Sequence, residues 1–170
     1  AMVGADELAG YVLPLGVVMH LFRAIAGKKP GVLTHVGLGT YADPRQEGCR
    51  ANRRARMQGR EIVSLIQNGE QEALLYHAFP LDACLIRATY ADEDGSLSLA
   101  HEALTDAQLE MAAAVHNQGG IVIVQVEEIV QRGSLPPRSV RVHHSLVDYV
   151  VKAASPQLHL QGYASPYYRP

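Results

Sequence analysis

Cysteine is scarce in this sequence, its charges nearly cancel, and no apolar run in it is long. Only Cys49 and Cys84 occur among the 170 residues, and neither belongs to a CxxC pair. That excludes a disulfide scaffold and a paired-thiol motif, and leaves two reduced thiols of the kind a cytoplasmic protein carries. Fifteen Lys and Arg against seventeen Asp and Glu give a formal charge of -2. So small an imbalance provides no global field for nucleic acid or an anionic membrane. No apolar stretch reaches the ~18 residues of a spanning helix, and the opening residues lack the charged, apolar, then small order of a signal peptide. Ala1 precedes Met2, so the natural start is expected elsewhere.

Motif chemistry is sparse as well. None of the eight histidines forms an HxxxH or HxxH pair. His101-Glu102 opens an HExxH-like string, but Thr105 stands where the second histidine belongs, so no metal site is expected. His143 and His144 are neighbours and would point to opposite faces of an extended segment. There is no GxSxG elbow, Walker loop or Cys–His nucleophile signature, so local motifs name no catalytic residue.

What is present is the composition of a folded protein, 48% hydrophobic and 19% charged. The length suits one domain, expected over residues 1–154, with an irregular C-terminal arm over 155–170 where Pro, Gln, Gly and Tyr dominate. Val18, Leu21, Phe22 and Ile25 recur at helical spacing before Gly27 and Pro30. A short strand follows from Val32 to Val36, then a polar, arginine-rich stretch from Tyr41 to Arg60. Ala73–Phe79 and Ala83–Tyr90 read as strands, the second so continuously apolar that it suits burial on both faces. Asn68-Gly69 and Asp94-Gly95 are turn signals. A helix is expected after an Asp106 cap, with Leu109, Ala112, Ala113 and His116 on one side and Gly119-Gly120 at its end. Ile121–Val126, Val140–Val142 and Leu146–Val151 complete the strands. Strands alternating with helices, plus one hairpin, predict an α/β layered fold with a mixed, partly parallel sheet.

Two local patterns invite function and fall short of it. Gly37-Leu38-Gly39-Thr40-Tyr41-Ala42 matches GxGxxA after a strand, but Asp43-Pro44-Arg45 follows where a helix would have to start. A dinucleotide site is therefore not expected; a tight turn, or a loop that lets a ligand approach the backbone, remains. Arg50, Arg53, Arg54, Arg56 and Arg60 form a basic cluster without interleaved aromatics. It reads as a solvated face, with a phosphate contact as the functional alternative.

Taken together, four stretches resemble the family I CoA-transferases of the acetate and propionate type. They are Pro30–Thr34 running into Gly37–Gln46; Phe79–Asp82 with Ile86–Thr89; Ala114–Asn117 with Gly119–Val122; and Pro137–Val142 with Leu146–Asp148. The resemblance runs from about Tyr11 to the last residues. It implies the α/β fold of that family's N-terminal domain, and transfer of CoA from a short-chain acyl-CoA to a free carboxylic acid. In such enzymes a glutamate attacks the thioester, and coenzyme A is a substrate rather than a resident cofactor. The family's nucleophile lies in a later half of a longer chain, so this sequence is expected to be an interior piece lacking it. Glu47, the only Glu directly followed by Gly, has no acid role in the family pattern and is not assigned.

By the same resemblance Gly37, Gly39 and Thr40 form a glycine loop near the acyl site, and Gly16 keeps the turn before the first helix. Arg87 and Asn117 match family motifs, with a fold-organising hydrogen bond as the plainer role. Pro14-Leu15-Gly16 stands where the family commonly has Pro-Gln-Gly, and leucine offers no amide to a substrate carboxylate. Cys49 stands in place of a second glycine after Gly48, and His143-His144 in place of a Pro-Gly turn. The expected partners are the two substrates and the missing half of the enzyme. A homo-oligomer is also expected, through Ile121–Val126 if that strand is left as an edge. The alternative is a truncated, inactive α/β module that binds CoA weakly or not at all.

Overall fold

The computed structural model describes residues 2–159. The chain folds as two compact units, one ending at Phe79 and the other beginning at Pro80.

The first unit opens with helix α1 (Leu15–Ala26), which starts on Pro14 and closes as the Gly27 N–H donates to the Arg23 carbonyl. Its buried face is Val17, Leu21, Ala24 and Ile25, spaced at four, three and one. Val18 and Phe22, expected on that face, are only half-buried. Strand β1 (Gly31–Thr34) is shorter than the expected run to Val36. It stops because the Thr34 hydroxyl accepts the Val36 N–H and the His35 carbonyl accepts the Leu38 N–H, turning the chain. The arginine-rich stretch contains a short helix, α2 (Arg53–Gln58). Asn52 caps it, accepting the Ala55 N–H at 3.0 Å, while its amide donates to the Val3 and Leu8 carbonyls.

Strands β2 (Val63–Asn68) and β3 (Gln71–His77) form a hairpin across Gly69-Glu70. Gly69 has φ +65°, the positive value that a two-residue hairpin turn needs at its first position. The sheet order is β1-β3-β2, all antiparallel. Val17, Ala42, Cys49, Ile62, Val63, Leu74 and Tyr76 make the core of this unit.

The second unit holds the mixed sheet. Strands β4 (Ala83–Asp92), β5 (Leu97–Ser98), β6 (Ile121–Val130), β7 (Val140–Val142) and β8 (Tyr149–Lys152) lie in the order β7-β5-β4-β6-β8. β4, β6 and β8 run parallel, whereas β5 and β7 pair antiparallel. The expected hairpin joins β4 to β5: Asp92 accepts the Asp94 and Ser96 N–H groups, and Gly95 takes φ +98°. Helix α3 (Gln108–His116) links β4 and β5 to β6 and packs on one face of the sheet. A four-residue helix, α4 (Pro156–His159), follows β8. The arm expected over 155–170 lies mostly outside the described residues.

Four expectations need correction. The residue before α3 is Ala107, at φ 66° with no side-chain cap, and Asp106 does not fill that role. The inward face of α3 is Ala112, Ala114 and Val115, while Leu109 and His116 are exposed. A nine-residue helix rich in alanine gives periodicity little to discriminate on. Ile121–Val126 is not an edge: β6 lies between β4 and β8, so the argument for self-pairing through it falls. Leu146–Val151 is not one strand, since a 3-10 turn covers His144–Leu146 and β8 starts only at Tyr149. Between them Asp148 both donates its N–H to the Val122 carbonyl and accepts the Val122 N–H on its carboxylate. Among the described residues no helix is long and apolar enough to cross a membrane.

The core of this unit gathers Cys84, Ile86 and Ala88 of β4, Val122, Val124 and Val126 of β6, Leu97, Val115 and Val142. Leu97 is 0% exposed and Leu85 78%. Leu97→Ala is therefore expected to cost about 2–5 kcal/mol by transfer and cavity terms. Leu85→Ala should change stability by less than about 0.5 kcal/mol. Urea unfolding of the two variants checks the contrast.

Candidate functional site

The glycine loop takes its shape from a buried carboxylate. Asp43, 1% exposed, accepts the Gly39 N–H at 2.9 Å on one oxygen and the Arg45 N–H at 3.0 Å on the other. The Arg45 guanidinium donates to both oxygens, from Nε at 3.0 Å and from Nη2 at 2.8 Å. Its remaining arm reaches Glu72 on β3 at 3.0 Å. Arg45 thus links the loop to the sheet of the same unit. The Arg45 side chain, followed by the Gly39 N–H, holds the Asp43 carboxyl well below the usual carboxylate range, against the opposing effect of burial. The same pairing raises the Arg45 guanidinium above its ordinary value.

Two further contacts set the loop. The Tyr76 hydroxyl donates to the Val36 carbonyl at 2.8 Å, and burial pushes its pKa up to about 12. Gly37 sits directly beside that hydroxyl with φ +98°; a Cβ there would lie 2.4 Å from the Tyr76 oxygen and 2.9 Å from the Ala42 Cβ. The Thr40 hydroxyl donates to the Gly37 carbonyl at 2.7 Å, and the Thr40 N–H donates to that same carbonyl. Gly39, with φ +69°, faces open space. The chain then returns through Gly48 and Cys49, both left-handed at φ 57° and 65°. A glycine is the low-strain residue for the second of those positions, yet here a buried thiol fills it, its pKa pushed up to about 11 by burial.

Of the expected site residues, Gly37, Gly39 and Thr40 therefore share one loop. Gly16 is the second residue of α1 rather than part of a turn before it, and no atom beyond its chain neighbours and helix backbone lies near its missing Cβ. The N–H groups of Gly39 and Thr40 are spent inside the loop, on Asp43 and on Gly37. Glu47 is a surface residue ion-paired to Arg56 at 2.8 Å. The arginine cluster straddles α2; Arg54 leans on Asp6 through its backbone N–H and guanidinium. Asn117 is the C-cap of α3.

Arg87 belongs to a second polar cluster, within the second unit. Its guanidinium donates twice to one oxygen of Glu102, at 2.8 and 3.2 Å, and to the His159 carbonyl. Glu102 lies 3.3 Å from the His159 ring, and Gln125 reaches His159 from β6. This network is well shielded, with the Arg87 side chain 14% exposed and Glu102 8%. Its partners come from residues far apart in sequence, so no local pattern announces it. Asp43 carried a signal: an Asp before Pro is a common start for a side-chain-bonded turn. Among the described residues no cluster of His, Cys, Asp and Glu could hold a metal ion.

Residues 2–153 match the family described as Coenzyme A transferase. The chain belongs to that family. It is 43% identical over 152 residues to caffeate CoA-transferase of Acetobacterium woodii, a match covering 89% of this chain and 28% of the relative. Against acetate CoA-transferase YdiF of Escherichia coli K12 the identity is 37%, over 86% of this chain and 27% of the relative. The solved apoenzyme of YdiF from Escherichia coli O157:H7 superposes with a TM-score of 0.81 at 36% identity, covering 89% of this chain and 29% of that one. Glutaconate coenzyme A-transferase from Acidaminococcus fermentans shares the fold at 17% identity and a TM-score of 0.66. The chain thus spans a little over a quarter of the length of caffeate CoA-transferase and of YdiF.

Two outcomes follow for the glycine loop of this family member. Gly37→Ala should destabilise by about 1–3 kcal/mol, because it meets a clash as well as a left-handed backbone. Gly39→Ala, strained in backbone alone, should cost about 1 kcal/mol, and thermal melts of the pair test the order. The folded state holds Asp43 below its ordinary value, so the unfolded chain takes up that proton first as pH falls. Its contribution is complete above the ordinary carboxylate pKa of about 4 and drains away below it. Asp43→Asn should therefore flatten the loss of stability between pH 6 and about pH 3, read from urea midpoints at both.

Proposed function

We propose that this chain is an interior piece of the N-terminal domain of a CoA-transferase that moves CoA between a short-chain acyl-CoA and a free carboxylic acid. The observation that carries the reading is 43% identity to an enzyme named caffeate CoA-transferase over 89% of this chain. A relative with 36% identity was solved as a thioester complex with CoA, which supports CoA as the carried group. The two relatives are named for different acids, caffeate and acetate. The acid is therefore set by details of the pocket rather than by the shared framework.

In this reading a glutamate carboxylate, outside this chain, attacks the thioester carbonyl. The C–S bond breaks, the CoA thiolate leaves with the electron pair, and an acyl-glutamyl anhydride forms. The thiolate then attacks the glutamyl carbonyl, releasing the first acid as carboxylate and leaving a glutamyl-CoA thioester. The second acid reverses both steps. Covalent exchange keeps the acyl group on the enzyme while the thiolate is displaced, and the pocket must stay dry or the anhydride is lost to hydrolysis.

Gly16, Gly37, Gly39 and Thr40 are the substrate-facing residues of this reading. With the Gly39 and Thr40 N–H groups already committed, the loop serves as a close-fitting wall rather than as a pair of oxyanion donors. The absence of a side chain at Gly39, which faces open space, is what admits an acyl group close to the backbone. Two unpaired, buried cysteines are in keeping with a cytoplasmic setting.

Acyl exchange between an acyl-CoA and acetate, followed by mass spectrometry, tests this. A protein of the relatives' length containing this sequence should exchange and accumulate a CoA adduct on a glutamate, and the chain alone should not. Exchange by the chain alone would overturn the placement of the nucleophile. No exchange by the longer protein with any short-chain acid would leave the inactive-module reading in its place.

A further inference from the structure

The glycine loop carries an exposed apolar side chain at each end of its bare backbone. Val36 stands before Gly37 at 53% exposure, and Tyr41 stands after Thr40 at 46%. Between them Gly39 has no side chain, and no atom lies within 4 Å of where one would sit. Leu38 is packed against the core of the unit instead, and Ala42, next along from Tyr41, is fully buried in it. An aromatic ring and an open stretch of backbone thus lie side by side at the surface.

Tyr41 is pinned in that position. Its carbonyl accepts the Cys49 N–H at 3.0 Å. The Thr40 hydroxyl, which donates to the Gly37 carbonyl, also accepts the Ala42 N–H at 3.3 Å. The backbone on both sides of Tyr41 is therefore fixed, and only the side chain can adjust. A second contact places the phenol. The Tyr76 hydroxyl is pushed up to about 12 by burial first, and then by its neighbours Cys49, Tyr41 and Asp43. That hydroxyl also lies against Gly37, so Tyr41 and Gly37 are neighbours of the same atom. A tyrosine has only two side-chain torsions to freeze, so a ligand that stacks on it gives up little freedom.

We propose that Tyr41 is a specificity-determining residue of the acyl site, favouring acids with a planar apolar body, aryl or enoyl, next to the carboxylate. The inference rests on the glycine loop facing substrate, as in the proposed function, and deepens that reading by naming the class of acid. An acyl group close to the bare backbone at Gly39 lies within about 7 Å of chain from Tyr41. There the ring offers it a flat apolar face. A flat acyl group covers that face in an offset stack, whereas the single methyl of acetate covers only a fraction of it. Polar discrimination is weak on this side of the site, because the Gly39 and Thr40 N–H groups are already held by Asp43 and Gly37. Choice between acids therefore falls to shape and apolar contact.

Internal competition reads the preference directly. A protein of the relatives' length containing this sequence is given propionyl-CoA with equal concentrations of cinnamate and acetate. The two new CoA thioesters are counted by mass spectrometry, and their ratio is the ratio of kcat/KM for the two acids. With Tyr41 in place, cinnamate should be favoured about tenfold or more, and Tyr41→Ala should shrink that ratio about tenfold. Tyr41→Phe should keep it, since the ring face remains. Tyr41→Leu, which keeps apolar bulk and loses the ring, stands in should Tyr41→Ala not fold, and should shrink the ratio in the same direction. A native preference for acetate overturns the assignment and leaves the transferase reading intact. So does a ratio that loss of the ring leaves unmoved, including by equal losses on both acids. No exchange with either acid overturns the transferase reading and this inference with it.

Discussion

One buried carboxylate organises the glycine loop. Asp43 is removed from water yet remains ionised, because a guanidinium and two backbone N–H groups replace its hydration shell. Taking Asp43 away would free the Gly39 N–H and the edge of the Arg45 guanidinium that now grips the carboxylate. The loop's left-handed glycines carry no steric strain, but something has to hold them in that one conformation. In this fold that restraint is electrostatic on one side, and on the other it is the Tyr76 hydroxyl pressed against Gly37. Backbone freedom at Gly37 and Gly39 permits the shape, and Asp43 and Tyr76 choose it.

The second unit solves a different problem with the same logic. Its parallel strands make an apolar core on the α3 side, where hydrophobic burial suffices. On the opposite side Arg87 lies among strand residues, and its charge is supportable there only because Glu102 and the His159 carbonyl meet it. Breaking such a pair strands a shielded charge, which costs far more than the pair contributes when intact. The network ties the last residue of α4 to β4 and to Glu102.

Much of the framework was legible from the chain. The helix before Gly27, the turn at Asn68-Gly69, the hairpin at Asp94-Gly95, the Val- and Ile-rich strand and the mixed sheet all appear where periodicity and turn chemistry put them. Elements failed where local signals are weak or compete. α3 is short and alanine-rich, so its inward face could not be told from its outward one. α2 hid inside a polar stretch, although Asn52 followed by a helix-forming run was the available cue. Leu146–Val151 was broken by Asp148, whose carboxylate takes a bond a strand residue would leave to the ladder. In the candidate site the glycines and Thr40 could be named from the family pattern. The commitment of their N–H groups could not, because it depends on where the Asp43 side chain folds back.

The amino-acid order by itself determined the class of fold, the absence of a local metal or nucleophile motif, and the stretches that tie the chain to its family. These rest on local spacing and on residue types with fixed backbone preferences. Tertiary structure alone decided that β6 is interior, that Arg45 reaches Glu72, and that Arg87 meets His159 across 72 positions of chain. The physical reason is that long-range pairings are settled by which groups can shed water together, and no single segment carries both halves of that choice.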